Sequence, residues 1–146
     1  MTPAELNFLG LWILRNARYQ NSEGKIFYPL GHQPQGHLAY FPNGRVMVQI
    51  NGLETATASS IATPEEAPTA ALHKEGVHYA YYGTFEVLKD TREVRHNITF
   101  CSDPNSSSTS VRRKVSLVED HLSLQTEPFA FEGETIVGHL EWQRQA

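Results

Sequence analysis

Apolar side chains recur at every second position through most of the chain. Val46, Val48 and Ile50 form one such set. Tyr79, Tyr81, Gly83, Phe85 and Val87 form another, and Val94, His96, Ile98 and Phe100 a third. Val111, Arg113, Val115 and Leu117 share a face, as do Ile136, Gly138, Leu140 and Trp142. A period of two is the mark of a strand with one buried side. Shorter runs over residues 11–19, 25–29, 36–41 and 122–125 complete the set. Pro42-Asn43-Gly44, Lys89-Asp90-Thr91 and Glu119-Asp120 separate the runs, and residues of these types favour tight reversals. Short strands joined by short turns, without strand–helix alternation, predict an all-β antiparallel sandwich or barrel.

Two stretches break the rhythm. Residues 51–76 are rich in Ala and Thr and longer than a hairpin loop. Within them Thr63-Pro64-Glu65-Glu66 has the form of a capping box with proline at the first helical position. Pro68 opposes continuation, so the expectation is a short or broken helix that ends near Gly76 and serves as a lid. Residues 102–110 are Ser-rich around Pro104-Asn105 and read as a loop.

With 146 residues, the chain is expected to form one domain, residues 1–146. Cys101 is the only cysteine, which excludes an intramolecular disulfide and the Cys-rich zinc patterns. The formal net charge of −4 argues against a nucleic-acid or anionic-membrane partner, because phosphate binding needs clustered cations. No apolar run approaches a membrane span. No basic segment leads into an apolar core near the start, so a cytoplasmic location is expected.

Several local patterns occur in order. They are Gly10-Leu11-Trp12, Tyr28-Pro29-Leu30-Gly31, Gly36-His37-Leu38-Ala39-Tyr40 and Asn43-Gly44-Arg45. Tyr81-Tyr82-Gly83-Thr84-Phe85, Val94-Arg95-His96, Pro104-Asn105, Arg113 through Leu124 and Leu140-Glu141-Trp142-Gln143-Arg144 follow. This series resembles the small lipocalin-like domain family of bacteria and fungi. The resemblance implies a closed, calycin-type antiparallel β-barrel of about eight to ten strands with a short helix or lid. It also implies a small-molecule cavity, with some fungal relatives in secondary-metabolite pathways as cofactor-free isomerases or cyclases.

In such a barrel the informative residues are polar ones in register with the apolar face. Arg113 lies among Val111, Val115 and Leu117, and a buried guanidinium needs a partner. That partner is either an anionic or enolic ligand oxygen or, as in lipocalin relatives, the indole of Trp12, with Arg144 the other candidate for that closure. His96 is either a proton relay or hydrogen-bond donor, or a core histidine satisfied by the backbone. Tyr81 is placed with His96 and Arg113 as catalytic, its hydroxyl donating to a ligand carbonyl. Tyr79, Tyr40, Asn16, Asn105 and Trp142 are placed as substrate-binding. Asn16 is included because it shares parity with Trp12 and Leu14. Cys101 has the opposite parity to His96 and is expected to point away from it. His32, His37, His73 and His78 lack a third ligand at metal spacing, so neither metal nor cofactor is expected.

The expected partner is a hydrophobic, oxygenated small molecule, the chain being a monomer or homodimer. Two functions fit: cofactor-free isomerisation, cyclisation or dehydration by acid–base groups in a dry lumen, or carriage of the same kind of molecule without turnover.

Overall fold

The computed structural model describes residues 2–28, 30–52, 72–73, 76–102, 109–131 and 133–145. A one-turn helix, α1 (Pro3–Leu6), precedes the first strand. The strands are β1 (Gly10–Asn21), β2 (Ile26–Phe27), β3 (Gln35–Tyr40), β4 (Arg45–Gly52), β5 (Leu72–His73) and β6 (Gly76–Leu88). They continue with β7 (Glu93–Cys101), β8 (Ser110–Val118), β9 (His121–Thr126), β10 (Phe129–Phe131) and β11 (Glu134–Arg144).

Strands β1, β3, β4, β6, β7, β8, β9 and β11 pair in that order, each antiparallel to the next, and β11 pairs back onto β1. The result is a closed barrel of eight strands, with β2, β5 and β10 attached as short extra strands. Closure leaves no long edge exposed for unwanted pairing. The predicted alternation holds along β4, β8 and β11, where Val46, Val48, Ile50, Val111, Arg113, Ile136, Leu140 and Trp142 are all buried.

The turns explain the short connections. Asn43 Oδ1 accepts from the Arg45 amide, and Gly44 takes φ +81°, a left-handed conformation that costs glycine nothing. The β8–β9 reversal is the two residues Glu119 and Asp120, with Val118 opposite His121.

Two bulges shift parity where the sequence reading assumed continuity. In β1, Leu14 pairs with Trp142 and Asn16 with Glu141, so Arg15 is an extra residue. Beyond it Ala17, Tyr19 and Asn21 turn inward instead of Asn16. In β7, Ile98 pairs with Gly83 and Phe100 with Tyr82, leaving Thr99 extra. A bulge of this kind re-aims every later side chain. Phe100 is therefore 63% exposed, and Cys101, opposite the inward Tyr81, packs against the core. Both assignments reverse the sequence expectation. Gly83 is required at this bulge: a Cβ there would lie 1.8 Å from the Asn97 carbonyl oxygen.

A short helix that the sequence reading did not anticipate opens the chain. Thr2-Pro3-Ala4-Glu5 carries the same capping signature as residues 63–66, and here both arms of the box are made. The predicted lid helix lies outside the described residues.

Candidate functional site

One end of the barrel is sealed by Arg144. Its guanidinium lies 4.3 Å from the Trp12 ring centroid, within cation–π range. Nε donates to Asp120 Oδ1 at 3.0 Å, Nη2 to the Asn7 carbonyl at 2.8 Å, and Nη1 to the Leu9 carbonyl. Trp12 Nε1 donates to the Phe8 carbonyl at 2.9 Å. The indole clasp thus belongs to Arg144, and Arg113 has a different place.

Arg113 points into the barrel from β8, 8% exposed, and its Nη1 donates to the Arg112 carbonyl at 2.9 Å. It lines a chamber of about 30 Å³ at the centre of the lumen, together with Tyr79, Tyr81, His96 and Trp142. The apolar wall is supplied by Leu38, Val48, Ile50, Leu124 and Leu140. That volume has room for about two water molecules.

His96 is the hub of the polar groups. The Tyr40 hydroxyl lies 2.7 Å from its Nε2, and the Tyr81 hydroxyl 2.5 Å from its Nδ1. Burial, reinforced by the charge of Arg113, lowers the imidazole pKa from 6.5 to about 3. At neutral pH the ring therefore carries one proton. One nitrogen donates to its tyrosine and the other accepts from the opposite one. Tyr40 is held well above the ordinary phenol range, first by burial and then by Tyr81, with Arg113 pulling the other way. Tyr40 and His96 are therefore neutral at neutral pH, and the bonds among Tyr40, His96 and Tyr81 give these buried polar atoms partners.

Tyr40 comes from β3 and His96 from β7, strands that are not neighbours, so the contact crosses the lumen. Phe8 meets the Tyr40 ring edge-on at 5.8 Å and Phe85 packs on it at 4.6 Å. Tyr40 stands outside the residues that line the chamber, behind His96, and so holds the imidazole rather than the contents of the chamber. Tyr79 packs edge-on against Tyr81 at 5.7 Å.

Trp142 differs from Trp12 in one respect. It is 2% exposed, and its Nε1–H has no hydrogen-bond partner among the described residues. A buried donor left unpaired costs roughly 1–3 kcal/mol.

The structure therefore brings Tyr81, His96, Arg113, Tyr79 and Trp142 together and puts Tyr40 one layer behind. Asn16 is left out, half-buried on the other side of β1 beyond the bulge. Asn105 lies outside the described residues. The Tyr40–His96 contact was not legible in strand register, because register reports neighbouring strands only. The inward parity of Tyr40 beside Leu38 was the available signal. Among the described residues, no group of three or more His, Cys, Asp or Glu is placed to hold a metal ion. No described helix is long and apolar enough to cross a membrane.

A larger hollow, about 400 Å³, lies against outward-facing side chains including His37, Met47, Gln49, Tyr82 and Phe100. Met47 is opposite Tyr82 in the sheet and Tyr82 opposite Phe100, giving an apolar row across three strands. The hollow is larger, but the chamber is the one lined by the buried His96 and Arg113.

A closed up-and-down barrel with an apolar lumen and a few convergent polar groups is the architecture of small-molecule-binding barrels. The chain matches the lipocalin-like domain family over residues 9–145 and belongs to that family. No curated protein matches it.

Proposed function

We propose that this single-domain barrel binds a hydrophobic, oxygenated small molecule in its lumen and promotes a cofactor-free isomerisation, cyclisation or dehydration of it. The observation that carries this reading is the Tyr40–His96–Tyr81 chain, which ends at a chamber shared with Arg113. His96 Nδ1 holds the Tyr81 hydroxyl at 2.5 Å in the chamber wall, where that hydroxyl meets a ligand carbonyl. As the α-C–H bond breaks and its proton passes to a solvent water, the C–H electron pair forms the enolate, and Arg113 favours the negative charge that develops on the oxygen. His96 acts through Tyr81, since both of its nitrogens are engaged. Tyr40 is a positioning residue. The same site serves a soluble, cytoplasmic protein acting on metabolites.

A second reading, a carrier without turnover, is favoured by one observation. A histidine with a pKa of about 3 is no general base at neutral pH.

Solvent exchange separates the two. 2-Heptanone is incubated with the protein in deuterated buffer, and α-deuteration is followed by mass spectrometry. Catalysed enolisation is expected to be lost by roughly 10²–10⁴-fold in Tyr81→Phe. Exchange no faster with the protein than without it sinks the catalytic reading and leaves the carrier.

A further inference from the structure

The two tryptophans of the chain occupy comparable places, buried on the inner face of neighbouring strands, yet only one has a use for its N–H. Trp12 donates to the Phe8 carbonyl at 2.9 Å. Trp142 is flanked in the sheet by Leu14 and Leu122, whose side chains accept nothing. Its Nε1 is buried without a partner among the described residues. A phenylalanine would fill such an apolar site without burying a donor. The indole lines the same chamber as Arg113, and no carboxylate or amide side chain is among the described residues lining it. Indole N–H and guanidinium donate and never accept. Among the described residues the chamber thus presents the unpartnered indole donor beside a guanidinium charge, inside an apolar wall.

We infer that Trp142 Nε1–H is a ligand-binding donor, and that the chamber takes the carbonyl-type oxygen of a ketone or carboxylate carried on an apolar body. This rests on the reading of the lumen as the binding site and adds the chemistry of the ligand. The oxygen accepts from Nε1–H, with Arg113 beside it. A volume of about 30 Å³ suits a head group of a few atoms. A hydrocarbon leaves the indole donor unpaired, and an ammonium ion meets the charge of Arg113.

Three seven-carbon probes test this: 2-heptanone, heptanoate and 1-heptene. The two indole N–H signals are followed in a ¹H–¹⁵N spectrum of the intact protein, with the already bonded Trp12 as internal reference. The oxygenated probes are expected to move the Trp142 signal downfield and leave that of Trp12 in place. They are also expected to bind about tenfold more tightly than 1-heptene. Trp142→Phe keeps an aromatic ring and should erase that preference. The shift in the wild-type protein stands independently of how well the variant folds. If 2-heptanone perturbs Tyr81 and His96 while the Trp142 signal stays still, the inference falls and lumen binding survives. If none of the probes moves any lumen signal, both fall. A shifted Trp142 signal without α-deuteration supports this inference while the catalytic reading fails.

Discussion

Acid should weaken this fold through His96 in a calculable way. The imidazole in the folded chain is shifted from 6.5 to about 3, first by burial and then by Arg113. In the unfolded chain it protonates near its ordinary value. Between those two values the unfolded state binds one more proton than the folded state, so stability falls as pH falls. Above the unfolded pKa the contribution is complete; below about pH 3 the loss is complete. The slope is about 1.4 kcal/mol per pH unit. Acidification from about pH 6.5 to about pH 4 therefore removes about 3 kcal/mol, a large share of a typical stability of 5–15 kcal/mol. Urea denaturation of the wild type and of His96→Gln across that range isolates the effect. Glutamine can bond both tyrosine hydroxyls but does not titrate. Carboxylates are common to both proteins, as is His139, which burial and Arg18 also lower, so they cancel in the difference. The wild-type stability should fall more steeply by that slope, and the His96 ring proton signal should stay unshifted down to about pH 4. Parallel pH profiles, or a ring that titrates near its ordinary value, would refute the buried neutral hub.

Three other outcomes follow from the geometry. Arg144→Ala removes the clasp on Trp12 and the bonds to the Asn7 and Leu9 carbonyls, and should cost roughly 2–4 kcal/mol by thermal melting without moving the Tyr81 or His96 signals. Gly83→Ala forces a Cβ against the Asn97 carbonyl at the β7 bulge and should cost about 3 kcal/mol or more, with poor soluble yield as the first sign. Met47→Glu, on the exposed outer row, should change stability by less than about 0.5 kcal/mol and leave 2-heptanone binding intact; loss of binding would place the ligand on the outer hollow instead.

Much of the barrel was legible because period-two burial is local. Where a strand runs without interruption, as in β4, β8 and β11, each inward residue follows from its neighbour two positions away. Legibility ended at the bulges. Nothing in Leu14-Arg15-Asn16 or Ile98-Thr99-Phe100 marks an extra residue, since bulges answer to the curvature of the closed sheet rather than to a local signal. One unrecognised residue at each bulge, Arg15 and Thr99, moved Asn16 out of the site and brought Cys101 onto the core side. The candidate site was legible as a set of polar residues at inward parity, but not as a connected chain. Tyr40 reaches His96 across the lumen, and only closure of the barrel brings them within 2.7 Å.

The polar groups of the lumen agree on the sign of charge they accept. Arg113 makes a proton harder to place on His96 and makes a phenolate at Tyr40 less costly. Both effects arise from one positive charge in a medium where water screens it poorly. The Trp142 donor adds a third group that rewards electron density and nothing else. A chamber designed only to exclude water would need none of these, because aliphatic side chains of similar volume pack without the desolvation cost of a guanidinium. On the proposed function, these groups hold an oxygen that gains electron density, with Tyr81, Arg113 and Trp142 around it. Carriage alone needs that oxygen to be recognised; turnover needs it to gain charge. The contribution of Arg113 is the part that distinguishes the two, since its attraction grows with the charge while that of a neutral donor grows less. Replacing Arg113 with an uncharged glutamine should thus reduce α-deuteration of 2-heptanone far more than its binding if the site is catalytic, and should reduce binding alone if it is a carrier.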